Sequence, residues 1–382
     1  MQLRDQGKLR LDDPVSDYLE WFKIRDRFPE APDITIRQLL THSSGLPRES
    51  AFPYWTDHKF PSRKQMIEKL PTQETVYPAE TKWKYSNLGM AVLGEVVAKV
   101  SGMSYEDYIN QNILEPLKMR STSVNLSDEH KNRLAVGYGR KKSNGSRDII
   151  SFTDSKGLTP AANMSSTVED MAKFASFQFR YDKSADEQIL KGSTLREMHR
   201  VHWLRPSWKS GWGLGFSISK SGERVFIGHG GWVGGYRTQL LFNPDEKVAV
   251  MVMTNADDGI PYFYAKRAYE LVAPAIVKAA TPPEPVAEAD PAWQKYVGNY
   301  RDPWGWDVKI IIMANKLVMY GYDYPPEDNP VESIIELTPE GEHMFRKTGD
   351  NGNGDPVLFE IGKDGEVERV KTGENYIYPV RE

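Results

Sequence analysis

The 382 residues predict an α+β domain followed by an all-β domain. Three observations carry that prediction. Helix-period apolar patterns come first, and strand-period patterns gather after residue 212. A proline-rich break then interrupts the chain near residue 285, and beyond it every apolar segment is short and strand-like. The length agrees, because single hydrophobic cores stop growing at roughly 250–300 residues.

Helical periodicity marks residues 34–40, 87–100, 104–113, 167–177 and 262–278. Strand patterns occupy 213–219, 224–227, 236–243 and 247–254, so consecutive antiparallel strands precede the final helix. The stretch "KAATPPEPVAEADPAW" has four prolines and no apolar period, which sets the expected boundaries at 1–280, a linker at 281–291, and 292–382. In the last region, "VKIIIMANKLVMYGY" reads as two strands around a turn at 314–316. "VESIIEL", "HMFRKT", "PVLFEIGKDGEVERVKTG" and "NYIYPV" follow at short spacing, a pattern for a small barrel or sandwich. The opening, "MQLRDQGKLRLDDPV", is too short to nucleate a helix and has no cap before the stop at Gly7. It reads as the tail of a longer helix, so the first domain is expected to be incomplete at its N-terminus.

Composition excludes several classes. A net charge of −4 offers no footing for nucleic acid or an anionic membrane. The absence of cysteine removes disulfides, thiolate catalysis and cysteine-bound zinc. No apolar run approaches the ~20 residues of a transmembrane helix. Compartment and oligomeric state stay open.

Two strings carry candidate chemistry. In "TKWKYSNLGMAVLGEVVAKVSGMSYEDYI", Tyr85, Ser86 and Asn87 stand at the N-terminus of an apolar helix, where free N–H groups and the helix dipole face the loop. Ser86 or Asn87 there reads equally as a plain helix cap. In "GHGGWVGGYRTQLLFNP", the glycines around His229 allow close approach of a ligand or of another strand. Other candidates are poorer. His199 and His202 have ligand-like spacing without a third partner nearby, so no metal is expected. "DNGNGD" at 350–355 departs from the EF-hand pattern and reads as a turn. Lys-Thr-Gly at 347–349 and 371–373 falls in the β tail and reads as turns.

In order, "GKLRLDDPVSDYL", "ITIRQLLTHSSGLP", "WKYSNLGMAVLGEVV", "GMSYEDYI", "ILEPLKM", "MSSTVEDMAKF", "GWGLGF" and "HGGWVGGYRTQLLFNP" resemble the serine β-lactamase and penicillin-binding-protein family, in its class C-like branch. That branch includes D-aminopeptidases, DD-carboxypeptidases and esterases. The resemblance covers roughly residues 1–275, and the tail with "YVGNY" resembles a lipocalin-like barrel. It implies an antiparallel sheet with helices and, without any cofactor, hydrolysis of a small-molecule or peptide amide or ester through an acyl-enzyme. Tyr85 would relay a proton at a pKa lowered by nearby cations, and Asn87 would bind substrate. His229, Gly230 and Gly231 would line the pocket edge, with the Trp232 N–H as half of the oxyanion hole. The "THSSGLP" loop at 41–47 is expected to edge the same pocket.

The nucleophile of this family sits on a helical Ser-x-x-Lys turn, expected roughly ten residues ahead of Met1. The spacing recurs once, at Ser217 and Lys220, in a strand-like alternation that would point the two side chains to opposite faces. No Gly-x-Ser-x-Gly elbow replaces it. These 382 residues are therefore expected to lack turnover by themselves. The rival expectation is a non-catalytic binding protein for peptidoglycan-like or peptide ligands.

Overall fold

Several helices of the first region begin where the sequence supplies a cap. Thr35 and Gln38 form a capping box for Ile36–Thr41, and Ser62 with Gln65 does the same for Arg63–Lys69. Ser86 caps Asn87–Ser101, which ends at Gly102 with φ +71, and Thr167 caps Val168–Gln178. The helix expected over 104–113 is shorter: Tyr105–Ile109 passes into a π turn, Asn110–Leu114. Gly192–His199 has no side-chain cap at Lys191, so its start carries no sequence signal.

The computed structural model describes residues 1–181, 188–222, 224–281, 288–321 and 333–380. Contacts divide the chain into Met1–Thr281 and Pro282–Glu382. Residues 282–287 of the expected linker lie outside the described residues.

In the first unit six antiparallel strands run in sequence order, each paired with the next: Trp203–Leu204, Ser210–Trp212, Ser217–Ser221, Arg224–Val233, Tyr236–Asn243 and Val248–Thr254. One face buries Phe216, Ile218, Ile227, Leu240 and Phe242 against Met171 and Phe174 of the Val168–Gln178 helix. The other face buries Phe226, Leu241 and Val248 against Ala265, Tyr269 and Ala273 of the Pro261–Ala280 helix. A larger helical core joins Leu39, Leu88, Val92, Val96 and Leu158. The α+β reading of the first region is thus observed.

The second unit is a closed eight-stranded antiparallel barrel. Gly298–Arg301 pairs with both Asp307–Met313 and Asn375–Pro379, which closes the ring. The turn expected at 314–316 is one residue shorter: Ala314 and Asn315, at φ +49 and +63, join the strands ending at Met313 and starting at Lys316. Ile310, Leu317, Val357, Phe359 and Val370 fill the interior, as in other small barrels.

Candidate functional site

Ser86 holds the first site element in place. Its Oγ accepts the Gly89 N–H (2.9 Å) and donates to the Pro47 carbonyl (2.6 Å), so the hydroxyl is fully engaged. Asn87 follows as the first helical residue, and its backbone N–H donates to the Arg48 carbonyl at 2.8 Å. Its side-chain Nδ2 donates to Glu49 Oε1 at 2.8 Å, and the other Glu49 oxygen accepts the Tyr54 hydroxyl. The Arg48 guanidinium lies 5.0 Å from the centre of the Tyr85 ring.

The second element is the Arg224–Val233 strand. Its partner strand, Ser217–Ser221, reaches only as far as Gly228, so the edge of residues 229–233 is not covered by it. On the other side, Val233 pairs with Tyr236 across the Gly234–Gly235 turn, His229 with Leu240, and Trp232 with Arg237. In an antiparallel ladder hydrogen-bonded and non-hydrogen-bonded pairs alternate. Counting from the closing Val233–Tyr236 pair turns the Trp232 N–H away from the neighbouring strand, toward the open edge. The glycines answer chiefly to that neighbour: a Cβ at Gly228 would meet the Leu240 carbonyl oxygen at 2.0 Å, and one at Gly230 the Gln239 Oε1 at 2.6 Å. The Trp232 indole is half exposed and donates to Asp257 Oδ1 at 2.9 Å.

Both elements face one cavity of about 2260 Å³ in the first unit. Tyr85, Asn87, His229, Gly230, Gly231 and Trp232 all line it. The Tyr85 and His229 rings are 6.2 Å apart between centres, and Trp212 packs edge-on to each at 6.0 and 5.6 Å. Away from this polar mouth the walls are apolar: Leu40, Val97, Met171, Phe174, Met251 and Met253.

Burial raises the Tyr85 pKa, with Arg48 opposing and Glu49 reinforcing that shift. The lowered value expected from nearby cations is therefore not what this environment produces: burial outweighs the guanidinium. Burial also lowers the His229 pKa, opposed by its own hydrogen bond, in which Nδ1 donates to the Gly230 carbonyl at 2.5 Å. Near pH 7 the mouth therefore carries a neutral phenol and a neutral imidazole whose proton is committed to Nδ1.

Ser217 lies in a strand, lines the cavity and donates its Oγ to the Gly228 carbonyl at 2.8 Å, while Lys220 is exposed. The pair is not brought together on one face. His199 Nε2 meets Gln178 Oε1 at 2.9 Å and His202 Nε2 meets the Glu197 carbonyl at 2.9 Å, so the two rings serve different partners. Sequence reasoning missed Glu49, His42 and Asp257. The 41–47 loop was a partial signal for the first two, but nothing local marks Asp257.

A family model described as Beta-lactamase matches residues 1–275. The chain belongs to the Beta-lactamase family. Beta-lactamase-like protein 2 of Dictyostelium discoideum is 31% identical over 278 residues, covering 72% of this chain and 50% of that protein. A penicillin-binding protein of Bacillus subtilis is 26% identical over 414 residues, covering 97% of this chain and 84% of its own length. Among solved structures, the octameric penicillin-binding protein homologue from Pyrococcus abyssi aligns with TM-score 0.61 at 25% identity, over 99% of this chain and 84% of that one. The chain spans about half the length of the first curated relatives it matches. No helix among the described residues of this Beta-lactamase family member is long and apolar enough to cross a membrane.

Proposed function

We propose that the cavity is the acid–base and oxyanion side of a serine hydrolase site for amides or esters, of the D-aminopeptidase or esterase kind. One observation carries this reading: Tyr85, Asn87 and the open edge of the His229–Trp232 segment, far apart in sequence, line one cavity. Membership of the Beta-lactamase family and the penicillin-binding relatives support it.

In this reading a serine Oγ attacks the substrate carbonyl and its proton passes by way of Tyr85 to the leaving amine or alcohol. The Trp232 N–H receives the developing oxyanion, and Asn87 holds the substrate. The serine and its lysine enter on a Ser-x-x-Lys turn that residues 1–382 do not themselves place in the cavity.

Fluorophosphonate labelling tests this. The 382-residue chain alone is expected to stay unlabelled. Joined behind a helical segment that carries a Ser-x-x-Lys turn, it is expected to label on the added serine. Tyr85→Phe should then slow acylation by about 10²-fold or more, the usual contribution of a positioned acid–base group. Stoichiometric labelling of any serine within residues 1–382 would overturn the reading, with Ser86 and Ser217 the first to inspect.

A further inference from the structure

His42 grips Tyr85 from both sides. Its carbonyl accepts the Lys84 N–H at 2.7 Å, and its ring Nδ1 accepts the Ser86 N–H at 3.2 Å. The peptide neighbours on either side of Tyr85 are therefore bonded to one residue 43 positions upstream. The same ring lies against the Tyr85 ring, 4.3 Å between centres, and is backed by Trp212 at 4.8 Å and Trp83 at 6.1 Å.

The backbone makes the placement costly. His42 ends the Ile36–Thr41 helix in the left-handed region, φ 57 and ψ 34, a position that glycine or asparagine usually takes. It is 2% exposed and is not among the residues lining the cavity. A buried, left-handed histidine that does not reach the ligand space is held for what its atoms do to their neighbours. Gly45, three residues on, has φ +71 and brings its Cα against the Tyr77 carbonyl, where a Cβ would sit 2.0 Å from the oxygen. That turn returns the loop so that the carbonyls of Pro47 and Arg48 meet Ser86, Asn87 and Leu88.

We propose that His42 is the positioning residue of this site: its backbone carbonyl holds Lys84 and its ring Nδ1 holds Ser86, and together they set the direction of the Tyr85 phenol between them. The proposal rests on the reading of Tyr85 as the proton relay, but its test does not depend on turnover. The ionisable groups that act on the ring are Tyr85 from the turn, His229 from the sheet and Arg48 from its own loop. Burial first, then His229 and Arg48, hold the His42 pKa down to about 3, so Nδ1 stays an acceptor through the neutral range.

The experiment follows the Ser86 amide and the Tyr85 phenol in the full 382-residue chain by hydrogen exchange and NMR titration. His42→Phe keeps a ring but removes the acceptor. It should speed Ser86 exchange by about tenfold or more relative to amides inside the Asn87–Ser101 helix, and move the Tyr85 titration midpoint. His42→Asn, which tolerates the left-handed region and offers an oxygen, should restore Ser86 protection. In the parent chain the protection should persist down to about pH 3–4, where Nδ1 is protonated. The proposal is overturned if His42→Phe leaves both signals unchanged. It is equally overturned if a folded His42→Asn fails to restore Ser86, or if every amide of the first unit loosens together. Should His42→Phe not fold, the asparagine variant and the acid titration decide. A failure of fluorophosphonate labelling would leave these readouts untouched, so the two readings fail separately.

Discussion

The barrel and the six-stranded sheet of this chain solve one problem in opposite ways. The barrel of the second unit closes on itself and fills its interior with side chains such as Phe359, which lies 4.2 Å from Tyr296 between ring centres. The six-stranded sheet of the first unit is open, and it borders a cavity of about 2260 Å³. A closed, filled barrel satisfies its backbone and its apolar surface internally. An open sheet beside an unfilled volume keeps a strand edge and apolar walls available for chemistry. The difference teaches where to look for function: in the unit whose packing is unfinished around the Tyr85 and His229 rings.

Matched truncations sharpen that contrast most. Phe359→Ala removes a ring that is 1% exposed and wedged between Tyr296 and Phe345, so it should cost about 3–5 kcal/mol in urea unfolding followed by barrel signals. Met253→Ala trims a partly exposed cavity wall and should cost about 1 kcal/mol or less, since little packing is lost where little exists. Equal costs at the two sites would mean that the cavity is packed in solution as tightly as the barrel.

The elements that were legible in the sequence are those whose signals are local. Ser86 before an apolar helix, the strands on either side of residues 314–315, and the two site strings each announce themselves within a few residues. The missed elements lack such signals. Gly192–His199 starts without a cap, and Gly137–Tyr138 pairs with Ile149–Ile150 over only two residues each. Within the site, Asn87 was recognisable, but its acceptor Glu49 lies 38 residues away, and the bond from Asp257 to Trp232 spans 25. The direction of the Tyr85 pKa shift in this chain has a related cause. The burial that outweighs the Arg48 cation comes from packing that sequence order does not reveal.

Acid should weaken the first unit through its buried histidines. His42 and His199 have pKa values held down to about 3 and about 4 by burial. In the unfolded chain both titrate near 6.5, so below that pH the unfolded state binds more protons and stability falls. The stabilisation is complete above pH 6.5 and is lost as pH drops toward 3–4, at about 1.4 kcal/mol per pH unit for each histidine. Urea midpoints of the first unit measured from pH 7.5 to 4.5 should show this slope. His199→Gln, which keeps an amide near Gln178 but cannot protonate, should flatten it by about 1.4 kcal/mol per pH unit. An unchanged slope in that variant would remove His199 from the account.

The smallest expected effect concerns ligand choice at the open edge, and it turns on one proton. His229 lines the cavity and donates its Nδ1 proton to the Gly230 carbonyl, so the neutral ring keeps a lone pair on Nε2. A substrate carboxylate would face that lone pair and gain nothing, whereas a lysine at the same place would offer charge-assisted bonds worth roughly 1.5–3 kcal/mol. Near pH 7 the parent chain should therefore bind N-acetyl-D-alanine amide in preference to N-acetyl-D-alanine. His229→Lys should reverse the order by about tenfold or more, read by calorimetry on the 382-residue chain. The pH dependence carries the same sign. Burial lowers the His229 pKa, so carboxylate affinity in the parent should begin to rise only below about pH 6.5 as the ring gains its second proton. In the lysine variant it should be flat across that window. If the parent prefers the carboxylate at pH 7.5, or if lysine leaves the order unchanged, His229 does not set the preference, and the Trp232–Asp257 side of the opening becomes the place to search.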